Sequence, residues 1–159
     1  GAISDGVADL DFMLRVGLFG HFCLSGIFPT MAERQMTARE RYRHMVHLYK
    51  TFVRPMLATC RMFHHTPIQR QGAPGDWVVL ECGSEDGQRA YAGIFRLAGA
   101  EGEAYLFHPR SLDLSRRYRV TYDTDGHRRQ MDGGVLTDQG LRVVVPSALT
   151  SELLLFEAE

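Results

Sequence analysis

The sequence predicts a mainly β protein: an antiparallel Greek-key β-sandwich of about eight strands, preceded by a helical appendage. Three observations carry this. After residue 58, short β-forming runs alternate with turn residues about every ten positions, the rhythm of a sandwich or barrel. Within 117–123 the alternation is clean: Tyr118, Val120 and Tyr122 face one way, and Arg117, Arg119, Thr121 and Asp123 the other. Before residue 58 the period is helical instead.

Residues 11–28 are rich in Phe, Leu, Gly and Val. Asp11 to Val16 reads as a helix end, and Gly17 to Leu24 as a short strand buried on both faces. Ser25, Gly26 and Pro29 then mark a loop. Residues 37–57 form the best helix. Thr37 and Glu40 have capping-box spacing, the threonine oxygen serving the N3 amide and the glutamate reaching back to the N-cap amide. Tyr42, Met45, Val46, Tyr49, Phe52, Val53 and Met56 recur at three- and four-residue intervals and make one face apolar. Arg39, Arg41, Arg43, Lys50 and Arg54 fill most of the other side, and Pro55 helps to end the helix. A face this broad must dock on the sandwich or pair with a second copy.

The expected strands are 59–65, 76–82, 88–97, 103–108, 117–123, 127–131, 141–145 and 151–157. Asp86-Gly87 and Asp125-Gly126 read as hairpin turns, with both positions of each tolerating positive φ. Leu141, Val143 and Val145 form an inward row. Leu153 to Phe156 are apolar on both faces, so the last strand is central or covered. Pro74-Gly75 and 99–102 are solvent loops.

Composition bounds the function. The chain has 159 residues, 45% hydrophobic and 23% charged, an ordinary globular balance able to bury a core without staples. The net charge of −1 argues against a nucleic-acid partner. Lys50 is the only lysine among 18 basic residues, which reads as codon bias in a GC-rich genome. No run of 18 apolar residues exists, so no membrane span is expected. Gly1 to Leu10 lacks the pattern of a signal peptide, and a cytoplasmic location is the expectation. A leading Gly without Met reads as the scar of a cleaved tag, and the chain is then a piece of something longer. Cys23, Cys60 and Cys82 are widely spaced without a C-x-x-C, so they read as reduced, structural thiols.

Spacing alone gives little chemistry. His44 and His47 stand at i and i+3 but lack a third ligand at a telling distance. His64 and His65 are strand neighbours that point apart, and one of them is a candidate for a buried, hydrogen-bonded side chain. Acids fall in turns (Asp86, Asp125, Asp132, Asp138) or on polar strand faces (Glu81, Glu152) and read as solvated. No nucleophile elbow, P-loop or dinucleotide fingerprint is present. Trp77 and Tyr91 are weak candidates for a sugar-stacking platform, against the plainer reading of core aromatics. No cofactor and no metal are called for.

Three passages resemble the C-terminal end of α-galactosidase-like glycoside hydrolases of family 36. Asp11 to Gly26 (DFMLRVGLFGHFCLSG) looks like the last strand of that family's (β/α)8 barrel with a helix end before it. Tyr49 to Pro55 (YKTFVRP) resembles the end of the final barrel helix. Phe95 to Leu97, Arg110 to Asp113, Arg117 to Val120, Gly133 to Leu136, Gly140 to Val143 and Ser151 to Leu154 look like the β-sandwich that follows the barrel. The resemblance implies a remnant of the barrel over 1–57 and a C-terminal sandwich domain over 58–159. It implies a parent enzyme that retains configuration with two carboxylates, a nucleophile and a general acid/base, both on earlier barrel strands. No catalytic residue is therefore expected here. His21, Cys23 and Ser25, near the expected barrel mouth, would at most line its pocket. The implied partners are the missing barrel, α-galactoside sugars through the parent, and a second copy of the chain. The implied role is a non-catalytic accessory domain, with a carbohydrate-binding sandwich as the alternative.

Overall fold

The computed structural model describes residues 8–23, 36–67 and 75–159. Helix α1 spans Leu10–Gly17 and α2 spans Met36–Leu48. A π-helical turn, Tyr49–Val53, and a 3-10 turn, Arg54–Met56, continue α2. The strands are β1 (Arg61–His64), β2 (Trp77–Gly83), β3 (Arg89–Arg96), β4 (Ala104–Phe107), β5 (Arg117–Tyr122) and β6 (Arg128–Asp132). Helix α3 (Gly133–Gln139), β7 (Leu141–Val144) and β8 (Thr150–Ala158) follow.

Six strands form one antiparallel sheet in the order β1-β2-β3-β8-β5-β6, and β4 pairs with β7 in a second. The chain leaves the large sheet after β3, returns for β5 and β6, leaves again for β7, and inserts β8 between β3 and β5. That interleaving gives the Greek-key sandwich its two layers. The helices α1 and α2 add a third layer on the opposite face of the large sheet.

Period-two alternation makes two cores from one sheet. On one face Val79, Ala92, Ile94, Tyr118, Val120, Leu154 and Phe156 pack against Phe107, Leu136, Leu141 and Val143. On the other, Cys82, Tyr91, Leu153 and Leu155 pack against Leu14, Leu18, Met45, Leu48, Phe52, Val53 and Met56. β8 is covered on both sides, as its apolar run requires. The broad apolar face of α2 and the π turn docks on the sheet.

The expected strand from Gly17 to Leu24 is not there. Gly17 ends α1, Leu18 to Gly20 turn, and His21 to Cys23 carry no strand; Leu24 lies outside the described residues. Leu10, Leu14 and Leu18 recur every four residues and bring one helical face onto the sheet. Asp9 fixes the start, its Oδ1 accepting the Phe12 N–H at 2.7 Å.

Thr37 lies within α2, and the contacts of its side chain are outside what is described. Pro55 acts earlier than a simple stop. It has no N–H, and its ring would crowd the carbonyl of Thr51 in an α-helix. The turn widens, and the Arg54 N–H donates to the Tyr49 carbonyl, five residues back. Both hairpins also differ from the expected two-residue type. Only Gly87 and Gly126 have positive φ (66° and 73°), whereas Asp86 and Asp125 do not. Five-residue connections result, with a glycine in the left-handed position.

Candidate functional site

The most concentrated chemistry lies where α1 and α2 meet the sheet. Arg15 is 1% exposed, so its guanidinium needs internal partners. Its Nη2 donates to Asp123 Oδ2 at 2.8 Å and to Thr124 Oγ1 at 3.0 Å. Its Nη1 donates to the Ser151 carbonyl, and Glu152 Oε1 stands 3.7 Å from Nη2. Arg41 of α2 bridges Asp11 of α1 at 2.7 Å and Asp123 at 3.0 Å. His44 Nε2 is hydrogen-bonded to Asp123 Oδ1.

Two carboxylates therefore share one arginine, and their environments push them apart. Burial alone would raise Asp123, but the adjacent Arg15 and His44 outweigh it and hold the group below the ordinary carboxylate range. Burial dominates at Glu152 and keeps it above that range despite Arg15 and the N–H groups of Leu153 and Thr124. A split pair of this kind is what retaining glycosidases use. Here both Asp123 oxygens and Glu152 Oε1 are held by arginine, histidine and backbone donors, and Arg15 lies between helix and sheet. The arrangement clamps α1 to the sheet.

A third buried carboxylate, Glu81 on β2, accepts from the backbone N–H groups of Arg110 and Ser111 and from the Ser111 hydroxyl. His65 Nε2 lies 2.7 Å from its other side. Of the adjacent histidines, His65 is thus the half-buried, hydrogen-bonded one and His64 is exposed. This cluster ties the loop before β5 to β2.

A cleft of about 420 Å³ opens between the 3-10 turn and the β2–β3 hairpin. Pro55, Met56, Thr59, Glu85, Asp86 and Arg89 line it. Two of its charges, Asp86 and Arg89, have structural partners. Asp86 Oδ1 accepts from the Gln88 N–H and the Ser84 hydroxyl, which lower its pKa. Arg89 donates to the Thr51 carbonyl and lies over the Phe52 ring. Among the described residues no group of three or more His, Cys, Asp or Glu side chains could hold a metal. No helix among them is long and apolar enough to cross a membrane.

The residues singled out from sequence do not converge. His21 and Cys23 are exposed, and Ser25 lies outside the described residues. Trp77 and Tyr91 are buried and belong to the cores on opposite faces of the sheet, so they cannot share one stacking platform. The Tyr91 hydroxyl donates to the Leu18 carbonyl at 2.9 Å, and Phe19 packs on its ring. His47 is exposed.

Glu81, Asp123 and Glu152, expected on solvated strand faces, are buried. One signal was available: Glu81 and Glu152 each sit in an apolar run, WVVLEC and ELLLF, that must be covered.

No protein-family model matches the chain, and no curated protein does. Among solved structures, the chain is similar to the galactosidase domain of the alpha-galactosidase–sucrose kinase AgaSK, with a TM-score of 0.56 at 16% identity. The match covers 82% of this chain and 17% of that one. The chain thus shares its fold with part of a galactosidase domain and spans about a sixth of that structure's length.

Proposed function

We propose that this chain is the non-catalytic C-terminal accessory region of an α-galactosidase-like glycoside hydrolase of family 36, packing on the catalytic barrel. One observation carries the reading: the fold likeness takes in most of this chain but only 17% of the galactosidase chain. The order of the passages that resemble the family supports it. The chemistry of the buried acids agrees, since the paired carboxylates Asp123 and Glu152 hold Arg15. Met13 and Val16 turn outward from α1 at 62% and 46% exposure, apolar positions that a barrel would cover.

The test has two arms. The purified chain should hydrolyse no chromogenic α-galactoside, and calorimetry with galactose or raffinose should give no binding heat. A polypeptide carrying the barrel, encoded directly upstream of Gly1, should bind the chain and gain stability from it. Sugar binding at millimolar affinity or better would favour the carbohydrate-binding alternative. An upstream sequence without barrel or catalytic carboxylates would overturn the proposal.

A further inference from the structure

We propose that Cys60 and Cys82 are a redox pair that closes to a disulfide when the protein meets a small-molecule disulfide of the glutathione class. Cys82 lies on β2 and faces the helical layer, with Met62 of β1 and Tyr91 of β3 as its register neighbours. Cys60 stands two positions before Met62, so strand alternation places it on the same face. It packs against the cluster that contains Cys82, and its own Sγ donates to the Leu57 carbonyl at 3.6 Å.

The backbone can accommodate the bond. The last rung of the β1–β2 ladder is Arg61 with Gly83, which leaves Cys60 just outside it. Diagonal neighbours lie about 7–8 Å apart at Cα. A disulfide spans up to about 7 Å. Closure therefore draws Cys60 inward by about 1 Å, at a position that no ladder bond holds.

Exposure assigns the order of events. Cys60 is half-buried and Cys82 is buried. The Cys60 thiolate attacks one sulfur of oxidised glutathione, forming a mixed disulfide and releasing one glutathione thiolate. Cys82 gives its proton to solvent and attacks the Cys60 sulfur, forming the protein disulfide and expelling the second glutathione thiolate. The two protein thiols lose two electrons, and one glutathione disulfide becomes two glutathione thiols. Burial pushes the Cys82 thiol up to about 11, so the second step is slow at neutral pH and accelerates with base.

The experiment incubates the folded, full-length chain with excess oxidised glutathione, quenches with N-ethylmaleimide, and maps the peptides by mass. The expected main product at Cys60 is a Cys60–Cys82 linked peptide, formed about tenfold faster per unit of pH between neutrality and pH 9. The melting temperature of that product should rise by about 5 °C. Prior unfolding in urea should abolish the selectivity for this pair. A stable glutathione adduct on Cys60 beside a free Cys82 would overturn the proposal. So would preferential pairing of Cys60 with Cys23, or both thiols remaining alkylated. The C82S variant, where it folds, should stop at the Cys60–glutathione adduct.

Discussion

Arg15 is the residue on which the helical layer depends. Its charge lies between two carboxylates at the point where α1 crosses the sheet, and water does not compensate it there. Replacing it with methionine keeps the stem but leaves Asp123 and Glu152 without their shared cation. Chemical denaturation should show a loss of roughly 3–5 kcal/mol, the cost of stranding buried charge. A loss under 1 kcal/mol would mean that the clamp is incidental. The two acids oppose each other in their pH dependence. Asp123 has a folded pKa below its ordinary 3.8, so its stabilisation is present above 3.8 and is lost as pH falls through the folded value. Glu152 has a folded pKa above its ordinary 4.5, so its charged form works against folding at neutral pH and protonation relieves this. D123N should be less stable than wild type at pH 7 and should show a flatter acid limb. E152Q should match or exceed wild type at pH 7, because the amide oxygen still accepts the N–H groups of Thr124 and Leu153. Urea melts across pH 3–7 check both, and an E152Q variant that loses several kcal/mol at pH 7 would reverse the assignment.

At the scale of elements, the eight strands among the described residues were legible in the sequence, with boundaries within two residues. Each is an alternating or wholly apolar run bounded by turn residues. The elements that escaped are held by tertiary contact. Gly17 to Leu24 reads as a strand when taken alone, but Leu14 and Leu18 find their place on the sheet as a helical face. α3 begins with two glycines, residues that local propensity assigns to a turn. Gly133 is required there for another reason: a Cβ would stand 2.2 Å from the Asp113 carbonyl oxygen. G133A should lower stability by about 1–3 kcal/mol, because rigid backbone opposes the methyl group. A neutral result would show that the 113–116 loop yields. The buried acids were misread because alternation puts a polar residue on a face without saying what covers that face. Asp123 looks solvated on β5's flank until α1 and α2 close over it. Nothing in the spacing of His21, Cys23, Trp77 or Tyr91 reveals that two are exposed and two buried on opposite faces.

At the scale of the molecule, the described residues form three layers, with the large sheet serving two cores. Because the helical layer shares its core with Tyr91, Leu153 and Leu155, amides of 45–56 should exchange as slowly as those of β3. Fast exchange there would mean that the helices need a partner to dock. The proposed accessory role rests on the fold likeness and on buried acids that hold Arg15. The most direct measurement of that claim is steady-state hydrolysis of a chromogenic α-galactoside, taken with the chain alone and with the upstream barrel polypeptide added. The chain alone should be silent, and the activity of the barrel should rise when the chain binds. Turnover by the chain alone, lost when Asp123 or Glu152 is replaced in a variant that still folds, would contradict it.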